Sequence, residues 1–303
     1  MFANGALFLA LALQQIVVPL GHPPVRERER APIAESGPAW ARSCKEDDAW
    51  DAPAPPVRIH GNTYLVGTCG ISAILIVGDD GDILIDGGPE KAADLIADNI
   101  RALDFKLSDV RILLNSHEHF DHVGGIARLQ DLTGATLMAS APAAAVFASG
   151  RPSADDPQAG ILKPFPPARV GRIIRDGQQV RLGNLMLTAI ATPGHTAGGL
   201  SWRWESCDGG VCRTMVYADS LSPVSRDGYR FTDHPVLVAT FRTSIAKIAA
   251  GRCEILLTPH PMASGMRARI GAGKTLLDTD GCRVFAAAKT KALDDRLAKE
   301  AAH

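Results

Sequence analysis

Three histidines and an aspartate fall within six residues, His117-Glu118-His119-Phe120-Asp121-His122, between the apolar run Val110–Leu114 and the pair Gly124-Gly125. No other feature constrains the fold as strongly. At the end of a buried strand, just before Gly-Gly, so many ligand-competent groups read as a metal site rather than as hydrogen-bonded loop histidines. His117 and His119 are two apart on an extended segment, so they project to one side. Asp121 and His122 come as the chain turns into the next helix and point to a neighbouring position. Two more histidines sit beside Pro or Gly at strand ends: His195 in Thr192-Pro193-Gly194-His195-Thr196, and His260 in Thr258-Pro259-His260-Pro261. Those at 22, 60, 234 and 303 have no such setting and read as surface or core residues.

The cluster supplies four ligands, and His195 and His260 complete six. Imidazole and carboxylate with no thiolate nearby favour zinc over softer-metal chemistry. Six ligands divide as three plus three, so each of two zinc ions keeps an open position. That openness marks a catalytic site rather than a structural one.

The pattern around the cluster gives the fold class. Short strands are expected at 57–59, 63–66, 72–77 and 83–85, the last ending at Asp86-Gly87-Gly88. Ala92, Leu95, Ile96, Ile100 and Leu103 recur at helical spacing after Pro89, which suits a first helical turn. A buried strand at 110–114 leads to the histidines, and a helix from about Val123 to Leu132 follows. A strand at 136–139 and a helix at 142–148 precede a polar loop from Gly150 to Pro167, long enough to suggest function. The second half repeats the theme: strands near 170–175, 179–182 and 185–191, a hairpin of 200–204 and 213–218, helix 236–249, strand 254–258 and helix 282–301. Buried strands with amphipathic helices on both sides predict an αββα sandwich, two similar halves with the ligand-bearing loops along one edge of the sheets. The catalytic domain is placed at 57–303. A length of 303 residues and 46% hydrophobic content are ample for that core.

A net charge of −1 recruits neither nucleic acid nor an anionic membrane surface. No exposed heptad demands a partner chain, so a monomer is expected. The apolar run Ala6–Leu20 suits a signal peptide, residues 1–20, and hence a periplasmic or secreted protein; a buried N-terminal helix is the alternative. Residues 21–56, rich in Pro, Arg and Glu, read as a mobile leader. Six cysteines, at 44, 69, 207, 212, 253 and 282, read as three disulfides in an exported protein. Cys207 and Cys212 flank a turn and can close a hairpin; the other four can pair in several ways.

The HxHxDH cluster, with Ile85-Asp86-Gly87-Gly88 before it and Pro193-Gly194-His195-Thr196 after it, resembles the signature of the metallo-β-lactamase superfamily. Val66-Gly67-Thr68-Cys69-Gly70-Ile71-Ser72, Tyr217-Ala218-Asp219-Ser220-Leu221-Ser222 and Leu257-Thr258-Pro259-His260-Pro261 look like subclass B3, in its three-disulfide Adelaide imipenemase branch. The resemblance covers roughly residues 44 to 300. It implies disulfides Cys44–Cys69, Cys207–Cys212 and Cys253–Cys282. It implies one zinc on His117, His119 and His195 and a second on Asp121, His122 and His260. The implied activity is opening of the β-lactam ring of penicillins, cephalosporins or carbapenems by zinc-activated water, which Asp121 also orients. Ser220, Ser222, Gln158 and Thr196 are the implied substrate contacts. Asp86 is the candidate to orient a ligand, a turn cap being the alternative. Lactone or thioester hydrolysis on the same fold is the rival activity, and it requires Asp219 to bridge both metals.

Overall fold

In the computed structural model, which describes residues 33–45 and 48–302, successive apolar residues along a strand enter different cores. On β3 (Ile74–Ile76), β4 (Asp82–Ile85) and β5 (Val110–Leu114), Ile74, Ile76, Ile83, Ile85, Ile112 and Leu114 face a central core, whereas Leu75, Leu84 and Leu113 face an outer one. On β11 (Val211–Tyr217) and β12 (Ile255–Leu257), Met215, Tyr217, Ile255 and Leu257 enter that same central core, while Val216 and Leu256 point the other way. A side-chain period of two forces this alternation, so each sheet needs cover on both faces.

The first sheet orders seven strands as β1 (Val57–His60), β2 (Thr63–Leu65), β3, β4, β5, β6 (Thr136–Ala139) and β7 (Val170–Ile173). The second orders five as β12, β11, β10 (Leu200–Asp208), β9 (Leu185–Ala191) and β8 (Gln179–Leu182). Helices α2 (Ala92–Ala102), α4 (Ile126–Thr133) and α5 (Ala141–Ser149) cover the outer face of the first sheet. Helices α6 (Pro235–Ala250) and α8 (Gly281–Ala301) cover that of the second. The layers are α, β, β, α.

Strand direction places the site. β4 and β5 run parallel, and β11 and β12 run parallel. β9 and β11 both pair antiparallel with β10, so they also share a direction. The loops after β4, β5, β9, β11 and β12 carry Asp86, the His117 cluster, His195, Asp219-Ser220 and His260. The two sheets are tied together there: Leu200 N–H donates to the Ser116 carbonyl at 2.6 Å and Trp202 Nε1–H to that of Asn115 at 2.9 Å.

Two expectations need correcting. Residues 33–45 and 48–56 are not a mobile leader: α1 (Ile33–Ser43) packs on α7 (Met266–Gly271), and Trp40, Cys44 and Ala54 lie in the central core. The reason is local, since the Trp40 ring is buried under the Arg267 guanidinium and Cys44 is bonded to Cys69. The helix read as starting near Val123 begins three residues earlier as α3 (Phe120–Val123) and breaks at Gly124-Gly125 before α4. Those glycines allow close approach: a Cβ on Gly125 would stand 2.3 Å from the Gly87 carbonyl oxygen. Helix α7 was not anticipated from the sequence. The proposed signal segment and residues 21–32 lie outside the described residues. Among the described residues no helix is long and apolar enough to cross a membrane. The disulfides are Cys44–Cys69, Cys207–Cys212 and Cys253–Cys282, the pairs the resemblance implies.

Candidate metal centre

The strand β5 ends at Leu114, and His117 to His119 continue extended; His119 has φ −80° and ψ 148° and starts α3. The change from strand to helix turns Asp121 and His122 toward a different point from His117 and His119. His195 follows Gly194, whose φ of +150° and closeness to the Phe241 ring, 2.8 Å from where a Cβ would stand, leave no room for a side chain. His260 follows β12. The result is two triads, His117–His119–His195 and Asp121–His122–His260, with ligand atoms in each within 4.8 Å of one another. The His117 and His122 ring centroids are 4.2 Å apart, so the triads are neighbours.

In the first triad each imidazole has one nitrogen committed and one left over. His117 Nδ1–H donates to Asp219 Oδ1 at 2.8 Å, and its buried Nε2 has no partner. His119 Nε2–H donates to Asp156 Oδ2 at 2.9 Å. His195 Nδ1–H donates to the Ser222 carbonyl at 2.8 Å. Such bonds fix ring orientation and raise the basicity of the opposite nitrogen.

In the second triad, His122 Nε2 lies 3.2 Å from His260 Nε2 and 3.0 Å from Asp121 Oδ2. Two imidazole nitrogens aimed at each other beside a carboxylate suit a cation that takes a lone pair from each. These donor sets, nitrogen and oxygen without thiolate, fit zinc.

Electrostatics point the same way. Burial and neighbouring imidazoles hold His117 and His195 well below an ordinary histidine, so both stay neutral and able to ligate. Burial, with His122 nearby, brings His260 down to about 4. Burial alone would raise Asp121, but His122 beside it pulls the carboxyl well below its usual range. The same pairing raises His122 against the effect of its burial.

Other anticipated residues fall as follows. Asp86 is fully buried in the left-handed region at φ +66°, a strained position for a residue with a side chain. It accepts from Ser116 N–H at 2.6 Å, Ser116 Oγ–H at 2.7 Å and Tyr217 O–H at 2.7 Å, and stands 3.9 Å from His122 Nδ1. It therefore joins both sheets behind the ligands. Ser220 Oγ and Gln158 Nε2 are buried without a protein partner. Thr196 is 1% exposed, and its hydroxyl donates to Glu118 Oε2 at 2.7 Å rather than reaching the pocket. Asp219, which belongs to neither triad, sits behind His117.

Three contributors were not picked out from the sequence. Asp156 orients His119 from the long loop. Glu118, facing away from the ligands, also accepts Gly198 N–H at 2.9 Å and so ties the cluster to the His195 loop. Trp50, 47% exposed, sets its ring 5.6 Å from His260 and 6.0 Å from Phe120. It forms the lip of a cleft of about 430 Å³ that runs over Phe120 toward Lys163 and Phe165.

The metallo-beta-lactamase superfamily model matches residues 66–252. Among solved structures, the MIM-2 metallo-beta-lactamase is 55% identical, covering 88% of this chain and 98% of that one with a TM-score of 0.84. MEM-A1, a subclass B3 metallo-beta-lactamase from a soil metagenome library, is 44% identical over 84% of this chain and 99% of its own, with a TM-score of 0.79. Among curated proteins, the lactamase-like protein aptB of Emericella nidulans is 34% identical over 153 residues, 50% of this chain. The chain spans only 39% of that relative's length. With both triads assembled at one sheet edge and this likeness over most of its length, the chain belongs to the metallo-β-lactamase superfamily.

Proposed function

We propose that this chain hydrolyses the β-lactam ring of antibiotics with two zinc ions, one on each triad. The observation that carries the reading is the pair of full triads set side by side, in a chain so similar to MIM-2. Bound zinc supplies Lewis acidity and lowers the pKa of a water to about 7.

The protein's own groups aim the chemistry. Asp121 keeps its carboxylate ionised beside His122. One oxygen is a ligand atom, and the carboxylate accepts a hydrogen bond that orients the attacking water. Ser220 Oγ, buried without a partner, offers a hydrogen bond to a substrate carboxylate, and the half-buried Ser222 hydroxyl offers a second by turning from the Ser220 carbonyl, to which it donates at 3.2 Å. Gln158, whose backbone N–H is fixed by Asp156 Oδ1 at 2.7 Å, holds its unpaired amide two residues from the support of His119. The rival lactone or thioester activity needs Asp219 between the metals. Its Oδ1 instead accepts from His117 Nδ1–H and from Ser220 N–H at 2.7 Å, which sets the carboxylate behind His117 and outside both triads, with Oδ2 unpartnered. Three disulfides support work in an oxidising compartment outside the cytoplasm.

The test is hydrolysis of a chromogenic cephalosporin beside a glutathione thioester. Turnover of the cephalosporin alone, lost on chelation and restored by two equivalents of zinc, is expected. Turnover of the thioester alone sinks the reading.

A further inference from the structure

Helix α8 carries a charge on its inward face. Cys282, Phe285, Ala286 and Leu293 are buried there, and Lys289 falls on the same stripe, seven residues after Cys282 and four after Phe285. Three other cations of this helix are matched: Arg283 with Asp280, Lys291 with Asp295, and Arg296 with Glu300. Among the described residues no carboxylate oxygen lies within 4.0 Å of Lys289 Nζ. The ammonium stands 4.9 Å over the Phe285 ring and donates to Ser222 Oγ at 2.8 Å.

That contact leads into the site. The Ser222 hydroxyl donates to the Ser220 carbonyl at 3.2 Å, and the Ser222 carbonyl holds His195. Lys289 is also near enough to His260 to help lower its pKa, after burial and His122. The Cys253–Cys282 disulfide pins the first turn of α8, so the reach of Lys289 is set by the fold.

A half-buried ammonium without an anion has either to extend to water or to meet an anion. Lys289 donates instead to a hydroxyl beside the ligands. We propose that Lys289 is the cationic end of the substrate groove, where its ammonium receives the substrate carboxylate together with Ser220 and Ser222. Of its three N–H donors only one is used on Ser222, which leaves two for an incoming anion. Burial lowers the pKa of Lys289 while Asp219 opposes the shift, and an arriving carboxylate opposes it further. The assignment rests on the reading of the chain as a β-lactam hydrolase.

The experiment compares Lys289→Gln and Lys289→Arg with the parent enzyme on a chromogenic cephalosporin and on the same compound with its carboxylate methylated. Lys289→Gln is expected to raise KM for the free acid about tenfold, with kcat held within about twofold, and to leave KM for the ester unchanged. Lys289→Arg should restore most of the loss. In the parent, KM for the acid should rise with added salt, and Lys289→Gln should flatten that dependence. Equal shifts for acid and ester, no shift at all, or a fall in kcat with loss of zinc overturn the proposal; the last would mean that Lys289 only props Ser222 and His195. Parent enzyme inert toward both compounds defeats the β-lactamase reading itself, a different failure from a parent that works and a variant that is indifferent to the carboxylate.

Discussion

The two ligand triads differ in how firmly the protein holds them. In the first, every imidazole has its spare nitrogen bonded to an oxygen: Asp219, Asp156 and the Ser222 carbonyl, at 2.8 to 2.9 Å. All three rings are buried. In the second, His122 Nδ1 has no hydrogen-bond partner, with Asp86 3.9 Å away, and the His260 side chain is 32% exposed against Trp50. One half of the site is set before any metal arrives, and the other is shaped partly by the metal. Orienting partners typically change metal affinity 10–100-fold. The asymmetry is therefore large enough to measure.

The largest effects come from the ligands themselves. His119→Ala and Asp121→Ala should each lower kcat by about a thousandfold or more, because neither triad works with two members. Metal analysis alongside kinetics separates the cases, since Asp121→Ala should keep the first ion and His119→Ala should not. Near-parental activity in a variant that has lost its metal would defeat the scheme.

Graded chelation should next empty the second triad before the first, with affinities about 10–100-fold apart. His260→Ala should bind one equivalent at the parent's tighter affinity. If the ion that remains in His260→Ala is the weaker one, the order is reversed and the comparison is wrong.

Acid should reveal the same contrast in metal-free protein. His117 and His195 are held well below their ordinary value and His260 near 4, chiefly by burial. At these three positions the unfolded chain, with histidines near 6.5, then binds more protons, so the stability they contribute to metal-free protein falls as pH drops from about 6.5 to about 4. His122 runs the other way, because Asp121, Asp86 and Asp219 together outweigh its burial, and so do the buried carboxyls of Asp86, Glu118 and Asp219, which burial holds above their usual range. Calorimetry of the metal-free parent beside His195→Gln should find the parent losing more Tm across that window, by about 2–4 °C. A parent that loses no more Tm than the variant would contradict it.

A subtler probe is Asp219→Asn. Asp219 Oδ1 accepts both of that carboxylate's hydrogen bonds, and Oδ2 has no partner. The amide can keep both bonds while losing the charge, and first-triad affinity should fall about tenfold with the second unchanged. Loss from the second triad instead would place Asp219 as a shared ligand and revive the lactone or thioester reading.

The sandwich could be read from the sequence because the strands obey a period of two and the helices one of 3.6, and both periods are local. The ligands were legible for the same reason: four of the six lie within six residues. Their supports were not. Asp219 reaches His117 across 102 residues and Asp156 reaches His119 across 37, and a loop carboxylate that orients an imidazole has the same sequence signature as one facing water. Composition misled at the leader, where Pro, Arg and Glu suggest mobility but Trp40 and Cys44 anchor the segment. Lys289 gave a signal only as a charge on an apolar stripe, visible once the helix register was known.

The smallest effect tests the softest contact. Trp50 meets the His260 ring edge-on at 5.6 Å and 60°, and Phe120 at 6.0 Å; Lys163 Nζ stands 5.6 Å from the centroid of the Phe120 ring. An aromatic pair contributes about 0.5–1.5 kcal/mol, and Trp50 at 47% exposure belongs near the lower end. Trp50→Ala should therefore weaken zinc at the second triad about threefold and leave the first triad as it was. Competition with a metal-sensitive dye can resolve that difference. A tenfold loss would mean that the lip, rather than the loop after β12, is what places His260. No loss would mean that the loop after β12 places it unaided, and the second triad would then be better prepared than its open position suggests.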